Sequence, residues 1–199
     1  MDYRIAPVNT APYGCDSMTQ RLTKEDWLAA GFRALAAKGP NALKAEALAR
    51  DLGSTKGSFY WHFKDLPAYK AEMLALWREK VATEIMTEIL TEPDPELRLD
   101  RLAQAAAIVP PDHFGGRAIE PAVRAWALTD GAVFEALAAV DRLRTEFIAQ
   151  LLTGAGHDPG YAGLCYAAYL GLDDQSAKHG ADIHAGIMDL FTLIRAGGR

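Results

Sequence analysis

The sequence predicts an all-α protein, a small N-terminal three-helix unit followed by a larger helical bundle. Three observations predict it. Ala, Leu, Glu and Arg dominate from Thr23 onward, all good helix formers. Strand-like alternation is scarce. Gly and Pro fall where they cut the chain into helix-length pieces. With 199 residues, 50% of them apolar, the chain has material for a sizeable core in one large or two small domains.

Residues 1–20 hold Pro7, Asn9, Pro12 and Gly14 without periodicity and read as a disordered arm, with Met18 an alternative start of translation. Thr23 caps a first helix that carries Glu25 and Asp26 in its first turn. Leu28, Phe32 and Leu35 form its buried face, and Gly39-Pro40-Asn41 ends it. A second helix spans about 44–52, with Leu43 and Leu48 placed as a hydrophobic staple, and Gly53 stops it. Ser54 is placed to cap a third helix over 55–63. Asp65 caps a fourth, which tolerates Pro67 in its first turn and reaches about Leu90. Along one side of it run Leu74, Trp77, Val81, Ile85 and Ile89. Helices are expected near 95–108, 117–129, 131–154, 159–176 and 181–196, punctuated by Pro110-Pro111, Gly131, Gly154 and Gly180. The expected division is an arm over 1–20, a three-helix unit over 21–65 and a bundle over 66–199.

The net charge of −5 hides an asymmetry: +3 over residues 21–65 and −7 over 66–199. Apolar runs are too short and too broken by charge for a membrane-spanning helix, and no secretory pattern opens the chain. Cys15 and Cys165 lie far apart and form no CxxC. A reducing cytoplasm is the expected location.

The basic third contains helix, Gly-containing turn, helix, the pattern of a helix-turn-helix. Such a motif presents the first residues of its second helix to base edges, here Thr55, Lys56, Gly57 and Ser58. The aromatic run that follows splits into faces. Phe59 and Phe63 are four apart and share a buried face with Phe32 and Leu48. Tyr60, Trp61, His62 and Lys64 point elsewhere and can donate to phosphates. No arginine lies in this helix, so Lys56 is the candidate for a base-edge contact.

Leu48-Ala-Arg-Asp-Leu-Gly53 followed by Gly57-Ser-Phe-Tyr-Trp-His-Phe63 resembles the DNA-binding domain of the tetracycline-repressor (TetR) family. The resemblance covers about Leu22 to Met73. It implies a homodimer that represses transcription and releases DNA when a small molecule enters the C-terminal domain. It also implies DNA-facing roles for Lys56, Gly57, Ser58, Tyr60, Trp61 and His62. Two positions depart from the family pattern. Lys44 stands where a capping Ser or Thr is common, though it can still reach a phosphate, and Leu66 stands where a lysine is common.

The acidic remainder carries no HExxH and no GxSxG, and its histidines lack metal-ligand spacing. No catalytic residue, metal or cofactor is expected. Gly163, Ala167 and Gly171 make a small-residue stripe, and Ile183, Ile187, Leu190, Phe191 and Ile194 an apolar face. Either could pack within one subunit. A single helix-turn-helix is a weak reader, however, and the resemblance places a dimer on the last two helices. Ile187, Phe191 and Ile194 are therefore expected in the interface with the stripe. Trp77, His113, Phe114, Arg117, Arg124, Trp126 and Phe134 are candidates for a ligand cavity, although an ordinary core would use the same residues. Arg117 and Arg124 hint at an anionic ligand, with Glu120 between them. The reading is a homodimeric, effector-released repressor that binds an operator in double-stranded DNA. The alternative is an all-α ligand-binding or enzymatic protein that no longer reads DNA.

Overall fold

The computed structural model describes residues 22–197. The expected arm, Met18 and Cys15 lie outside the described residues. The helices are α1 (Lys24–Lys38), α2 (Ala45–Asp51), α3 (Lys56–His62), α4 (Leu66–Arg78), α5 (Glu84–Leu90), α6 (Pro95–Ala107), α7 (Ile119–Ala127), α8 (Gly131–Gly154), α9 (Ala162–His179) and α10 (Ile183–Gly197). Short 3-10 turns occupy Pro40–Ala42, Asp112–Phe114, Gly116–Ala118 and Pro159–Tyr161. The described residues contain no strand.

The helix starts follow side-chain chemistry. Thr23 Oγ1 accepts from Asp26 N at 3.2 Å, and Thr23 N donates back to the Asp26 carboxylate at 2.8 Å. Asp65 Oδ1 accepts from Ala68 N at 2.8 Å, which fixes the entry to α4. The cap of α3 is Thr55, not Ser54. Ser54 N is already bonded to Ala49 O at 2.8 Å, whereas Thr55 is extended and its Oγ1 accepts from Ser58 N at 3.2 Å. Lys44 stands at the start of α2 and makes no side-chain cap.

The expected fourth helix is a rod of three pieces: α4, a π turn over Glu79–Thr83, and α5. Its apolar side steps by four residues, through Trp77, Val81, Ile85 and Ile89. On a helix of 3.6 residues per turn such a stripe drifts by roughly 40° per step. The wider π turn absorbs that drift and keeps the stripe on the bundle side.

Two apolar cores form, and their boundary is not at residue 65. The first joins α1–α3 to α4, α7 and the first half of α8, through Trp27, Phe59, Tyr69, Trp77, Trp126 and Val140. The second lies among α5, α6, the end of α8, α9 and α10. Tyr69 of α4 joins the small unit to the rod. Its hydroxyl donates to Trp27 O at 2.8 Å, and its ring meets Phe59 at 5.1 Å and Phe63 at 4.8 Å. Gly31 makes room for it: a Cβ there would collide with Tyr69 Oη and lie 2.7 Å from Met73 Sδ. On the opposite side, Gly115 at φ +91° brings the loop between α6 and α7 against α1, where a Cβ would lie 3.0 Å from that of Ala36.

Candidate recognition face and bundle cavity

The recognition helix α3 is held from beneath by its aromatic seam. Phe59 and Phe63 are buried and lie 5.2 Å apart, centroid to centroid. Trp27, fully buried, meets Phe59 edge-on at 5.5 Å. Neither Trp27 nor Tyr69 was named in the sequence reading. Trp27 lies one residue before Leu28, about 100° round the helix, so the spacing of Leu28, Phe32 and Leu35 does not include it.

The outward side carries what the seam leaves over. Trp61 is 66% exposed and Tyr60 46%. Thr55, Lys56, Gly57 and Lys64 are exposed, and Ser58 and His62 are half-buried. Thr55 spends its hydroxyl on the cap. Lys56 pairs with Glu46 of α2 and lies 5.8 Å from the Tyr60 ring centroid. The Glu46 carboxylate pushes the Lys56 amine up, and Lys56 in turn holds the carboxyl of Glu46 low. Both groups are in water, so the pair is weak and exchangeable.

Two pockets lie side by side in the bundle, an inner and an outer chamber that share part of their walls. The inner, of about 100 Å³, is apolar, with Ile85, Met86, Phe147 and Ile187 among its walls. Cys165 lines it too, its thiol pushed up to about 11 by burial. The outer chamber, of about 360 Å³, is lined by Trp77, Phe114, Arg117, Glu120 and Asp173, with Ile108 and Pro111 also on its wall. Val81, Ile85, Arg144 and Tyr169 border both chambers. Phe114 packs edge-on against Phe32 at 5.5 Å, so this wall touches α1 directly.

Arg144 divides the chambers and holds the rod. Its guanidinium donates to Glu120 at 3.1 and 3.4 Å, to Tyr166 Oη at 3.2 Å, and to Val81 O, inside the π turn, at 3.2 Å. Arg124 completes the network, donating to Glu120 at 2.9 Å and to Asp141 at 2.9 and 3.2 Å. Burial opposes ionisation of Asp141, but hydrogen bonds from Arg124 and Tyr166 outweigh it and hold this carboxyl below its ordinary range. Arg117 is less committed: its one ion pair, to Asp173, is long at 3.6 Å. Burial pushes the Asp173 carboxyl up despite that arginine.

Four of the seven expected cavity residues do not line these chambers. Arg124 belongs to the internal network. Trp126 donates to Asp130 at 3.2 Å and borders a separate groove against α4. His113 is exposed, and Phe134 is 55% exposed. Sequence spacing put all seven near one another. The turn at Gly115–Gly116 directs Phe114 and Arg117 inward and leaves His113 outside.

Residues 28–65 match the family model described as bacterial regulatory proteins, tetR family. The N-terminal unit is a tetR-family unit. No curated protein matches the chain. A transcriptional regulator from Rhodococcus sp. RHA1 shares the fold at TM-score 0.73 and 18% identity, over 88% of this chain and 97% of that one. A TetR transcription regulator from Haloarcula marismortui gives 0.71 at 14% identity, over 87% and 96%. A regulator from Saccharomonospora viridis, solved in complex with choline, gives 0.71 at 18%, over 86% and 95%. These likenesses show a common all-helical fold.

In the tetR-family unit, Lys44 is exposed, and Leu66 packs against the first core where the family commonly has a lysine. Downstream, the expected interface divides. Gly163, Ala167 and Gly171 lie exposed on α9, and a Cβ at either glycine would meet nothing in this chain. Ile187, Phe191 and Ile194 are instead buried in the second core, so their stripe packs inward within this chain. The outward side of α10 carries Leu193, 69% exposed. Among the described residues no cluster of His, Cys, Asp and Glu is placed to hold a metal ion, and no helix is long and apolar enough to cross a membrane.

Proposed function

We propose that this protein is a homodimeric transcriptional repressor that leaves its operator when a small molecule fills the bundle cavity. The observation that carries the reading is the division of α3 in the tetR-family unit. Its aromatic seam is buried, while Lys56, Gly57, Tyr60 and Trp61 remain exposed along the other side. That side supplies a lysine for a base edge and, with Ser58, His62, Lys44 and Lys64, donors for phosphates. Thr55 acts through its cap by fixing the start of the helix.

Dimerisation uses the outward face of α9 and α10. Gly171, exposed in the middle of α9, costs stability without serving this chain's own packing, and with Gly163 in the first turn it permits close approach of a second copy. Two heads then read two half-sites together. Release follows from the rod. Trp77, Val81 and Ile85 line the cavity, and only three residues separate the end of α3 from the start of the same rod. A ligand that shifts the π turn tilts α4, and Tyr69 carries the tilt into the tetR-family unit.

The test is binding to DNA upstream of the protein's own coding sequence across a salt series. The expected outcome is one protected site and an affinity that falls steeply with salt, because each displaced phosphate counterion contributes a slope of about 0.9. Uniform weak binding without a site rejects the reading.

A further inference from the structure

We infer that the effector is a small carboxylic acid with an apolar body, its carboxylate held in the outer chamber by Arg117 and Trp77 and its body in the inner one. The inference rests on reading the bundle as an effector domain. The charges that line the outer chamber are mostly spent on each other. Glu120 takes Arg144 and Arg124, and Lys80 pairs with Glu84 at 2.6 Å. Three donors are left: Trp77, Arg117 and the hydroxyl of Tyr169, of which only the hydroxyl can also accept. Trp77 is buried, lines the chamber, and its Nε1–H has no partner. Arg117 is half-buried with one long pair to Asp173. An indole N–H can only donate, and a guanidinium is a fork of five donors without an acceptor. The ligand atom they call for is therefore an acceptor, and a carboxylate answers both, bidentate on arginine.

A cation would do the reverse. It would compete with Arg117 for Asp173 and leave the indole donor unmet. A neutral alcohol offers one oxygen to two donors and gains no ion pair. The rest of the ligand is fixed by the inner chamber, whose walls are mainly aliphatic and aromatic, with Arg144, already bonded to Glu120, Tyr166 and Val81 O, at its border with the outer one. Burial disfavours the charged form of Asp173, which limits its repulsion of an entering carboxylate. Exposed Ile108 lines the outer chamber, an apolar lip past which such a molecule can slide.

The experiment is calorimetric titration of the full-length protein with octanoate, octylammonium, octan-1-ol and choline at one pH and salt. The expected order is octanoate first, about tenfold or more tighter than the alcohol, a charged partner strengthening the hydrogen bonds. Trp77→Phe keeps the ring and removes the donor, so octanoate binding weakens about tenfold while octanol binding is unchanged. Arg117→Gln weakens octanoate by a similar factor or more. Melting temperatures of both ligand-free variants near wild type show that the loss is local. Tighter binding of octylammonium or choline overturns the carboxylate inference and leaves an effector cavity standing. Binding by none of the four overturns both. Equal octanoate affinity in both variants overturns the assignment of the head group.

Discussion

The recognition unit and the bundle solve the burial of polar chemistry in opposite ways. In the unit, charged groups are sent outward and the interior is a seam of rings that holds the Tyr69 hydroxyl, satisfied by Trp27 O, and the Trp27 Nε1–H, which has no partner. In the bundle, two arginines, two carboxylates and a tyrosine are partly buried in one network, beside a cavity, an unpartnered indole and a π turn. A seam of close-packed rings has one arrangement and resists deformation. A charged network beside empty volume can exchange partners. The difference teaches that this chain keeps its reading surface rigid and concentrates its capacity for change about 20 residues further on, at the π turn over Glu79–Thr83.

Substitutions can break that contrast, the largest effect first. Phe59→Ala removes the centre of the seam and is expected to cost about 3–5 kcal/mol in denaturant unfolding. A cost below about 1 kcal/mol would mean the unit is not close-packed. Gly31→Ala drives a Cβ into Tyr69, which is buried and bonded and cannot swing aside. The expected loss is about 1–3 kcal/mol, with the joint between α1 and α4 loosened in hydrogen exchange. Tyr69→Phe keeps the ring and isolates the hydroxyl, at about 1 kcal/mol.

How much of this was legible in the sequence depends on the range of the interaction. The seam was legible because Phe59 and Phe63 are four residues apart, one on α3 and the other on the extended residue that ends it. The starts of α1 and α4 were legible because a cap acts over three residues. Trp27 and Tyr69 escaped because 42 residues separate them and only their packing reveals the bond. The cavity was half legible. Trp77, Phe114 and Arg117 line it, but Arg144, which divides it, carries no local signal, since its partners lie 22 to 63 residues away. The face of α10 misled because an apolar stripe states that a helix is covered and not by what.

Smaller effects test the bundle. Arg144→Met removes the bond to Val81 O and is expected to speed amide exchange across the π turn while leaving exchange in α3 unchanged. Unchanged exchange at Glu79–Thr83 would show that Arg144 does not hold the turn. Asp141→Asn probes acid behaviour. Because its folded pKa is depressed, Asp141 contributes stability that is present above its unfolded value of about 3.9 and lost as pH falls through the lower folded value. The variant is therefore less stable at neutral pH and has a flatter acid limb, read as melting temperature between pH 7 and 2. An acid limb as steep as wild type would remove Asp141 from the account.

The central claim is that α3 separates a structural seam from a DNA-reading edge. It is tested most directly by anisotropy titration of the upstream DNA with wild type and with Lys56→Ala and Tyr60→Ala, melting temperatures measured alongside. The account predicts that both variants lose tenfold or more in affinity for the specific site, with melting temperatures close to wild type, as exposed positions shift stability by only about 0.5 kcal/mol. Wild-type affinity in both variants, or loss of binding only in step with loss of stability, would contradict it.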